Sequence, residues 1–225
     1  MDINLKKYII ICGHYGCGKT NFALNLALNL TASDKKITIV DLDIVNPYFR
    51  TSEYKDLLEK NNVKVISSSY MTSTLDIPAL SPEIYSIFDN NTDDYIIIDS
   101  GGDSAGTAVL GRFSNQFIRS DNYTMLYLIN KYRSLTQNAD SVATILHEIE
   151  HTCRLKATAI VNNSHLKYDT SSDDILNSIL FSDEVSEKLD IPVFFTTSPI
   201  NIYDELTTKI ENLYKINIYV KSPWE

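Results

Sequence analysis

Short apolar runs recur along the chain, and between most of them apolar residues return every third or fourth position. The runs are Tyr8 to Cys12, Lys36 to Asp41, Val63 to Ser67, Tyr95 to Asp99, Tyr123 to Ile129, Ala157 to Asn162 and Pro192 to Thr196. Tyr8-Ile9-Ile10-Ile11-Cys12 is apolar at consecutive rather than alternate positions, so such a strand needs cover on both faces. Helical spacing is predicted over Lys19 to Leu30, Ser81 to Phe88, Thr107 to Arg119, Leu135 to Cys153, Asp173 to Lys188 and Tyr203 to Tyr214. This alternation predicts an α/β fold, a mostly parallel sheet flanked by helices on both faces. The length of 225 residues fits one domain, residues 1–225, and no internal repeat or linker divides it. The least regular stretch, Ser68 to Pro82, is rich in Ser, Thr and Pro and is expected over the ligand edge of the sheet.

The first strand runs into Gly13-His14-Tyr15-Gly16-Cys17-Gly18-Lys19-Thr20, which has the spacing G-x-x-x-x-G-K-[ST] of a phosphate-binding P-loop. The strand, loop and helix context that the motif requires is present. Glycines let the backbone curl so that successive N–H groups face phosphate oxygens, and the following helix adds its positive dipole end. Gly13, His14, Tyr15, Gly16, Cys17, Gly18, Lys19, Thr20 and Asn21 are therefore the predicted nucleotide-binding segment. Lys19 is expected to reach the terminal phosphates, and the Thr20 hydroxyl to ligate Mg²⁺.

Two later strands end in acids. Asp41-Leu42-Asp43 places two carboxylates on one side of a strand end, and Tyr95-Ile96-Ile97-Ile98-Asp99 is a Walker B-like strand leading into Ser100-Gly101-Gly102-Asp103. Mg²⁺ takes near-octahedral oxygen ligation and keeps several waters. Thr20, Asp43 and Asp99 are its candidate ligands, Asp99 acting through water. The Ser100 to Gly106 segment is a candidate switch, since Gly101-Gly102 can swing when a terminal phosphate is present.

Composition narrows the partners. The formal net charge of −9, from 20 Lys and Arg against 29 Asp and Glu, disfavours DNA and anionic lipid as partners. No apolar run reaches the length of a membrane span, and the N-terminus leads directly into the first strand, so the sequence reads as cytoplasmic. The tail Ile216 to Glu225 is too short and insufficiently basic for a membrane-targeting helix. Cys12, Cys17 and Cys153 have neither disulfide nor metal-site spacing. Cys17 beside Lys19 could form a thiolate, but a tolerated small side chain is the simpler reading. His147-Glu148-Ile149-Glu150-His151 satisfies H-E-x-x-H. Its Glu150 sits where such zinc helices bury a neutral residue, and Val142, Ile145, Leu146 and Ile149 form the packed face, which leaves both histidines on a solvated one. Arg50 and Arg112 each follow a candidate switch and are read as surface or packing arginines.

From the P-loop through Asp41-x-Asp43, Asp99-Ser100-Gly101-Gly102 and Val161-Asn162-Asn163, the chain resembles the MinD/ParA/Mrp branch of P-loop ATPases, related to CobQ/CobB-type enzymes. The resemblance implies that Lys19 and Asp43 are catalytic, Asp43 orienting the attacking water, while Asp99 supports Mg²⁺. It also implies that Asn162 contacts adenine and that backbone around Ser198-Pro199 closes the base pocket. GTPases place N-K-x-D at the corresponding strand end, and Asn162-Asn163-Ser164-His165 lacks that acid, so ATP is expected over GTP. Many members carry a second P-loop lysine that crosses a dimer; His14 stands there, which leaves a homodimer open and predicts slow hydrolysis. Two functions fit: a nucleotide-dependent switch or assembly factor with an unidentified protein partner, or a small-molecule kinase or ligase of the CobB or dethiobiotin-synthetase kind.

Overall fold

The computed structural model describes residues 5–43, 51–67, 82–89, 92–102 and 104–221. Strand β1 (Tyr8–Gly13) feeds the P-loop and helix α1 (Lys19–Thr31), then β2 (Ile37–Asp41), α2 (Lys55–Lys60), β3 (Val63–Ser67), α3 (Pro82–Tyr85) and β4 (Tyr95–Asp99). Helices α4 (Ser104–Gly111) and α5 (Ser114–Ser120) precede β5 (Tyr123–Ile129), α6 (Ala139–Cys153) and β6 (Ala159–Asn162). The chain closes with α7 (Ser172–Asn177), α8 (Ile179–Leu189), β7 (Val193–Pro199), α9 (Tyr203–Leu206) and β8 (Leu213–Ile216).

The strands form one eight-stranded sheet in the order β3-β2-β4-β1-β5-β6-β7-β8, parallel at every pairing. From β1 the chain first builds outward through β2 and β3, returns to β4, and then builds the other way from β5. The carboxyl end of β1 therefore lies at the point where strand order reverses, where open α/β sheets bind ligands.

The consecutive isoleucines of β1 are explained by two cores. Ile10 and Cys12 pack on one face with Phe113, Phe117, Val142 and Leu146. Ile9 and Ile11 pack on the other with Phe22 and Leu26 of α1. Both faces of the central strand are thus covered by helices, and each fully buried apolar side chain is worth about 1.5–3 kcal/mol.

Several boundaries differ from the periodicity. The single helix expected over Thr107 to Arg119 is two, because a Cβ on Gly111 would lie 2.9 Å from Thr152 O and buried Phe113 turns inward between them. The helix expected from Leu135 starts at Ala139, where the Asn138 side chain accepts from Ser141 N at 2.9 Å and caps the first turn. The helix expected over Asp173 to Lys188 breaks at Ser178 into α7 and α8. The helix expected over Tyr203 to Tyr214 is the four-residue α9 followed by strand β8. Leu213 and Ile216 are buried there, and the Tyr214 ring lies 4.8 Å from Phe195 and 5.7 Å from Phe22. Helix α2 was not predicted. Residues 68–81 of the irregular stretch, Arg50 and Asp103 lie outside the described residues. Among the described residues no helix is long and apolar enough to cross a membrane.

Candidate functional site

Gly18 opens α1 in a left-handed conformation, φ 92°, and contributes no capping side chain. The first turn of α1 also carries no acid, which suits the helix end to an anionic acceptor. A Cβ on Gly18 would lie 2.4 Å from the Asn163 side-chain nitrogen. That nitrogen donates to Cys17 O at 2.7 Å, while Asn163 Oδ1 accepts from Thr197 Oγ1 at 2.6 Å. Asn163 thus ties the P-loop to β7.

Lys19 is buried, and its ammonium donates to His14 O at 3.3 Å across the loop. The turn after β4 closes over it: a Cβ on Gly102 would sit 2.6 Å from Lys19 Nζ and 2.7 Å from Tyr15 N. Beside it, Asp99 Oδ2 accepts from Thr20 Oγ1 at 2.8 Å and from Thr51 Oγ1 at 2.7 Å. Asp99 Oδ1 is buried with no partner among the described residues. Asp41 stands level with Asp99 on the adjacent strand. Burial first, and then the Asp41 carboxylate, push the Asp99 carboxyl up to about 7. Asp43 is buried and its N–H donates to Asp41 Oδ1 at 3.1 Å. The arrangement gathers the ammonium, the hydroxyl and the acids at one end of the sheet, although they come from three strands.

A cavity of about 320 Å³ opens from this cradle. It is lined by Tyr15 to Asn21, Asp43, Asn130, Arg133, His165, Lys167, Ile218 and Val220. Asn21 lines it yet spends its amide on the segment that follows β8, donating to Asn217 O at 3.0 Å and accepting from Tyr219 N at 2.8 Å. This clasp places Ile218 and Val220 as an apolar wall. Arg133, His165 and that wall escaped the sequence reading. The available signal was position, since Arg133 follows β5 and His165 follows β6 at the ligand edge.

Two expected base contacts lie elsewhere. Asn162 is fully buried and does not line the cavity, because its amide donates to Ser178 Oγ at 2.9 Å in the break between α7 and α8. Its neighbour Asn163, one position on, is the residue that faces the loop. Pro199 ends β7 and is likewise absent from the cavity lining. Cys17 is buried, and burial pushes its thiol up, which disfavours a thiolate. Arg112 is exposed and does not line this cavity. On α6, His147 and His151 are exposed, while Glu150 folds inward to accept from Lys156 Nζ at 2.5 Å and Ala157 N at 2.9 Å.

His165 is nine-tenths buried, its Nδ1 accepts from Lys167 N at 3.1 Å, and Nε2 has no partner among the described residues. Burial, then the charges of Arg133 and Lys167, hold the ring's pKa down to about 4. At His165 the folded chain therefore binds fewer protons than the unfolded one between pH 4 and 6.5, and the ring's contribution to stability falls as pH drops through that window. That contribution amounts to about 2 kcal/mol near pH 4.5, while the raised Asp99 carboxyl acts with the opposite sign over the same range. In urea unfolding, lowering the pH from 7 to 4.5 is expected to make His165→Gln gain about 2 kcal/mol over the wild type, since the Asp99 effect is common to both; parallel pH dependences would refute the assignment.

No family model and no curated protein matches the chain. Solved structures do. The cell division protein FtsY from Thermotoga maritima superposes with a TM-score of 0.58 at 18% identity, over 88% of this chain and 65% of that one. FtsY from Mycoplasma mycoides gives 0.57 at 17%, over 86% and 60%, and the signal recognition particle 54 kDa protein from Aeropyrum pernix gives 0.55 at 16%, over 87% and 42%. The chain spans about 60% of the length of the FtsY chains it matches. These neighbours are signal recognition particle proteins and lend the MinD/ParA branch itself no support. At such identities the likeness is one of fold, and the fold is that of the P-loop NTPases.

Proposed function

We propose that the chain is a Mg²⁺-dependent ATP-binding switch that hydrolyses ATP slowly and times contact with a protein partner. The observation that carries this reading is the position of Gly102 against Lys19 Nζ and Tyr15 N. A terminal phosphate on Lys19 needs the space that the Gly101–Gly102 turn fills, so its arrival displaces the turn and its loss lets the turn return.

The donor set suits Mg²⁺. Thr20 offers a hydroxyl, and the orphaned Asp99 Oδ1 is a buried acceptor that a hydrated cation satisfies. Bound Mg²⁺ would neutralise phosphate charge. Lys19 would bind the terminal phosphate oxygens, and Asp43 would orient the attacking water. Arg133 lies over Gly16, with its Nε 3.9 Å from where a Cβ would stand, and its charge bears on His165. It therefore serves affinity on the base side more than rate at the terminal phosphate. With His14 at the position of the second lysine, no further preorganised cation is assigned to the transferring group, and such a cation can be worth ~10³ to 10⁵ in rate.

FtsY from Elizabethkingia anophelis and the Aeropyrum pernix protein were solved with GDP. Guanine presents N1–H and N2–H donors that call for acceptors. Among the described residues the lining contains one acid, Asp43, and it sits at the phosphate end. His165, with Nδ1 already accepting, offers Nε2–H as a donor. A donor without a nearby carboxylate favours adenine.

Titration calorimetry is expected to give at least ~10-fold tighter binding of Mg·ATP than of Mg·GTP. Single-turnover hydrolysis by the protein alone is expected to run well below ~1 s⁻¹, the lower end of kinase rates. A preference for GTP would overturn the base assignment, and a rate of ~1 s⁻¹ or more would sink the slow switch.

A further inference from the structure

A second cavity, of about 530 Å³, lies on the other side of the P-loop between that loop, the Gly102 turn and helix α6. Its volume falls in the range of small-molecule sites. Tyr15 is common to both cavities, and His14 and Gly102 complete the wall that the second cavity shares with the phosphate cradle. The proposed ATP site does not use this space.

The lining decides what it can take. Leu135 and Ile145 give an apolar floor and rim, Leu135 being 59% exposed. Its polar groups, which also include the Ser141 and Tyr15 hydroxyls, can all accept a hydrogen bond. Glu148 offers a carboxylate that no described residue pairs with. The Thr144 hydroxyl donates its proton to Asp140 O at 3.0 Å, which leaves its oxygen to accept. His14 Nδ1 lies 2.8 Å from Tyr15 O, a contact that puts a proton on Nδ1. Among the described residues no lysine or arginine lines the cavity. An anionic acceptor, of the carboxylate type a dethiobiotin-synthetase-like kinase would require, finds no counter-charge there.

We propose that this cavity binds a small amphipathic organic amine, with its apolar body on Leu135 and Ile145 and its ammonium at Glu148. The inference goes beyond the nucleotide-switch reading and does not depend on it, because the recognition rests on α6 and the cavity walls alone. An occupant also leans on Tyr15 and Gly102, the residues that close over Lys19.

The test uses tryptamine as probe, with 3-methylindole as its neutral match and indole-3-propionate as its anionic one, each titrated into the full chain by ligand-observed NMR. Tryptamine is expected to bind saturably and indole-3-propionate at least ~10-fold more weakly, the sign of charge recognition. Glu148→Gln is expected to weaken tryptamine about three- to fivefold, the size of a solvent-exposed ion pair, and to leave 3-methylindole unchanged. Ile145→Trp fills the cavity and is expected to abolish tryptamine binding. Should that half-buried substitution unfold the chain, the exposed Leu135→Arg places a like charge at the mouth and is expected to do the same. Mg·ATP affinity, measured on the same samples, is expected to stay within about twofold in all three variants. Equal binding of the three probes, absence of tryptamine binding, or tryptamine binding that survives Ile145→Trp or Leu135→Arg would overturn the proposal. Loss of Mg·ATP binding by the wild type would instead count against the nucleotide reading.

Discussion

Lys19→Ala is expected to lower Mg·ATP affinity by ~10² to 10³-fold while the chain stays folded. An ammonium on phosphate oxygens makes charge-assisted hydrogen bonds, and truncating one partner of a desolvated charge pair costs about 2–5 kcal/mol. In the free protein the same ammonium makes a 3.3 Å hydrogen bond to His14 O, which is long for a charged donor, so little folding energy rests on it. The asymmetry between the bound and free states is the physical content of the prediction. Calorimetry with Mg·ATP, alongside thermal unfolding of both proteins, separates the two effects. Undiminished affinity with an intact fold would remove Gly13 to Thr20 as the nucleotide site.

The fold was legible where hydrophobic runs were continuous. All seven predicted strands have counterparts in the sheet, because a strand buried on both faces cannot hide its composition. The missed eighth strand, β8, is a four-residue edge strand, buried at Leu213 and Ile216. Leu213-Tyr214-Lys215-Ile216 is too short and too irregular in pattern to be distinguished from a helix end without knowing that Phe22 and Phe195 wait for Tyr214. Helix breaks were illegible for a similar reason. Ser178 interrupts α7 and α8 because its hydroxyl donates to Ile175 O and receives the Asn162 amide, and that partner lies 16 positions away in sequence.

The site divides in the same way. Residues set by the chain's own backbone geometry, such as Gly18, Lys19 and Thr20, follow from local spacing, since the glycine spacing of the motif confines the course of the loop. Residues that reach the cavity from other strand ends do not. Asn162 and Asn163 are adjacent and chemically identical, and only the pleat of β6 decides which one turns toward Cys17 O and which toward Ser178. Arg133 and the wall formed by Ile218 and Val220 depend on loops whose course is set by tertiary contacts, chiefly the Asn21 and Asn25 amides holding Asn217.

Asp43 and Asp99 are expected to separate turnover from metal dependence. Asp43→Ala should keep Mg·ATP affinity within a few-fold and lower the hydrolysis rate by ~10² or more, the usual size of a water-positioning or general-base effect. Its position supports the division: Asp43 lines the cavity, and its Oδ1 lies 3.4 Å from where a Cβ on Gly101 would stand, beside the turn that a terminal phosphate must displace. Asp99 sits deeper, with Oδ2 already holding Thr20 and Thr51 and Oδ1 unsatisfied. Burial and Asp41 both disfavour its negative charge in the free protein, and a divalent cation reverses that balance. Asp99→Asn should therefore raise the Mg²⁺ concentration needed for half-maximal ATP binding by ~10-fold or more, the size of losing a charged partner of the cation. The neutral amide leaves the free protein folded, because it keeps an acceptor for the two hydroxyls and removes a charge that the fold does not pair. Rates and Mg²⁺ titrations of both variants decide the point, and small, equal losses in the two would make these carboxylates structural supports for the strand ends rather than parts of the chemistry.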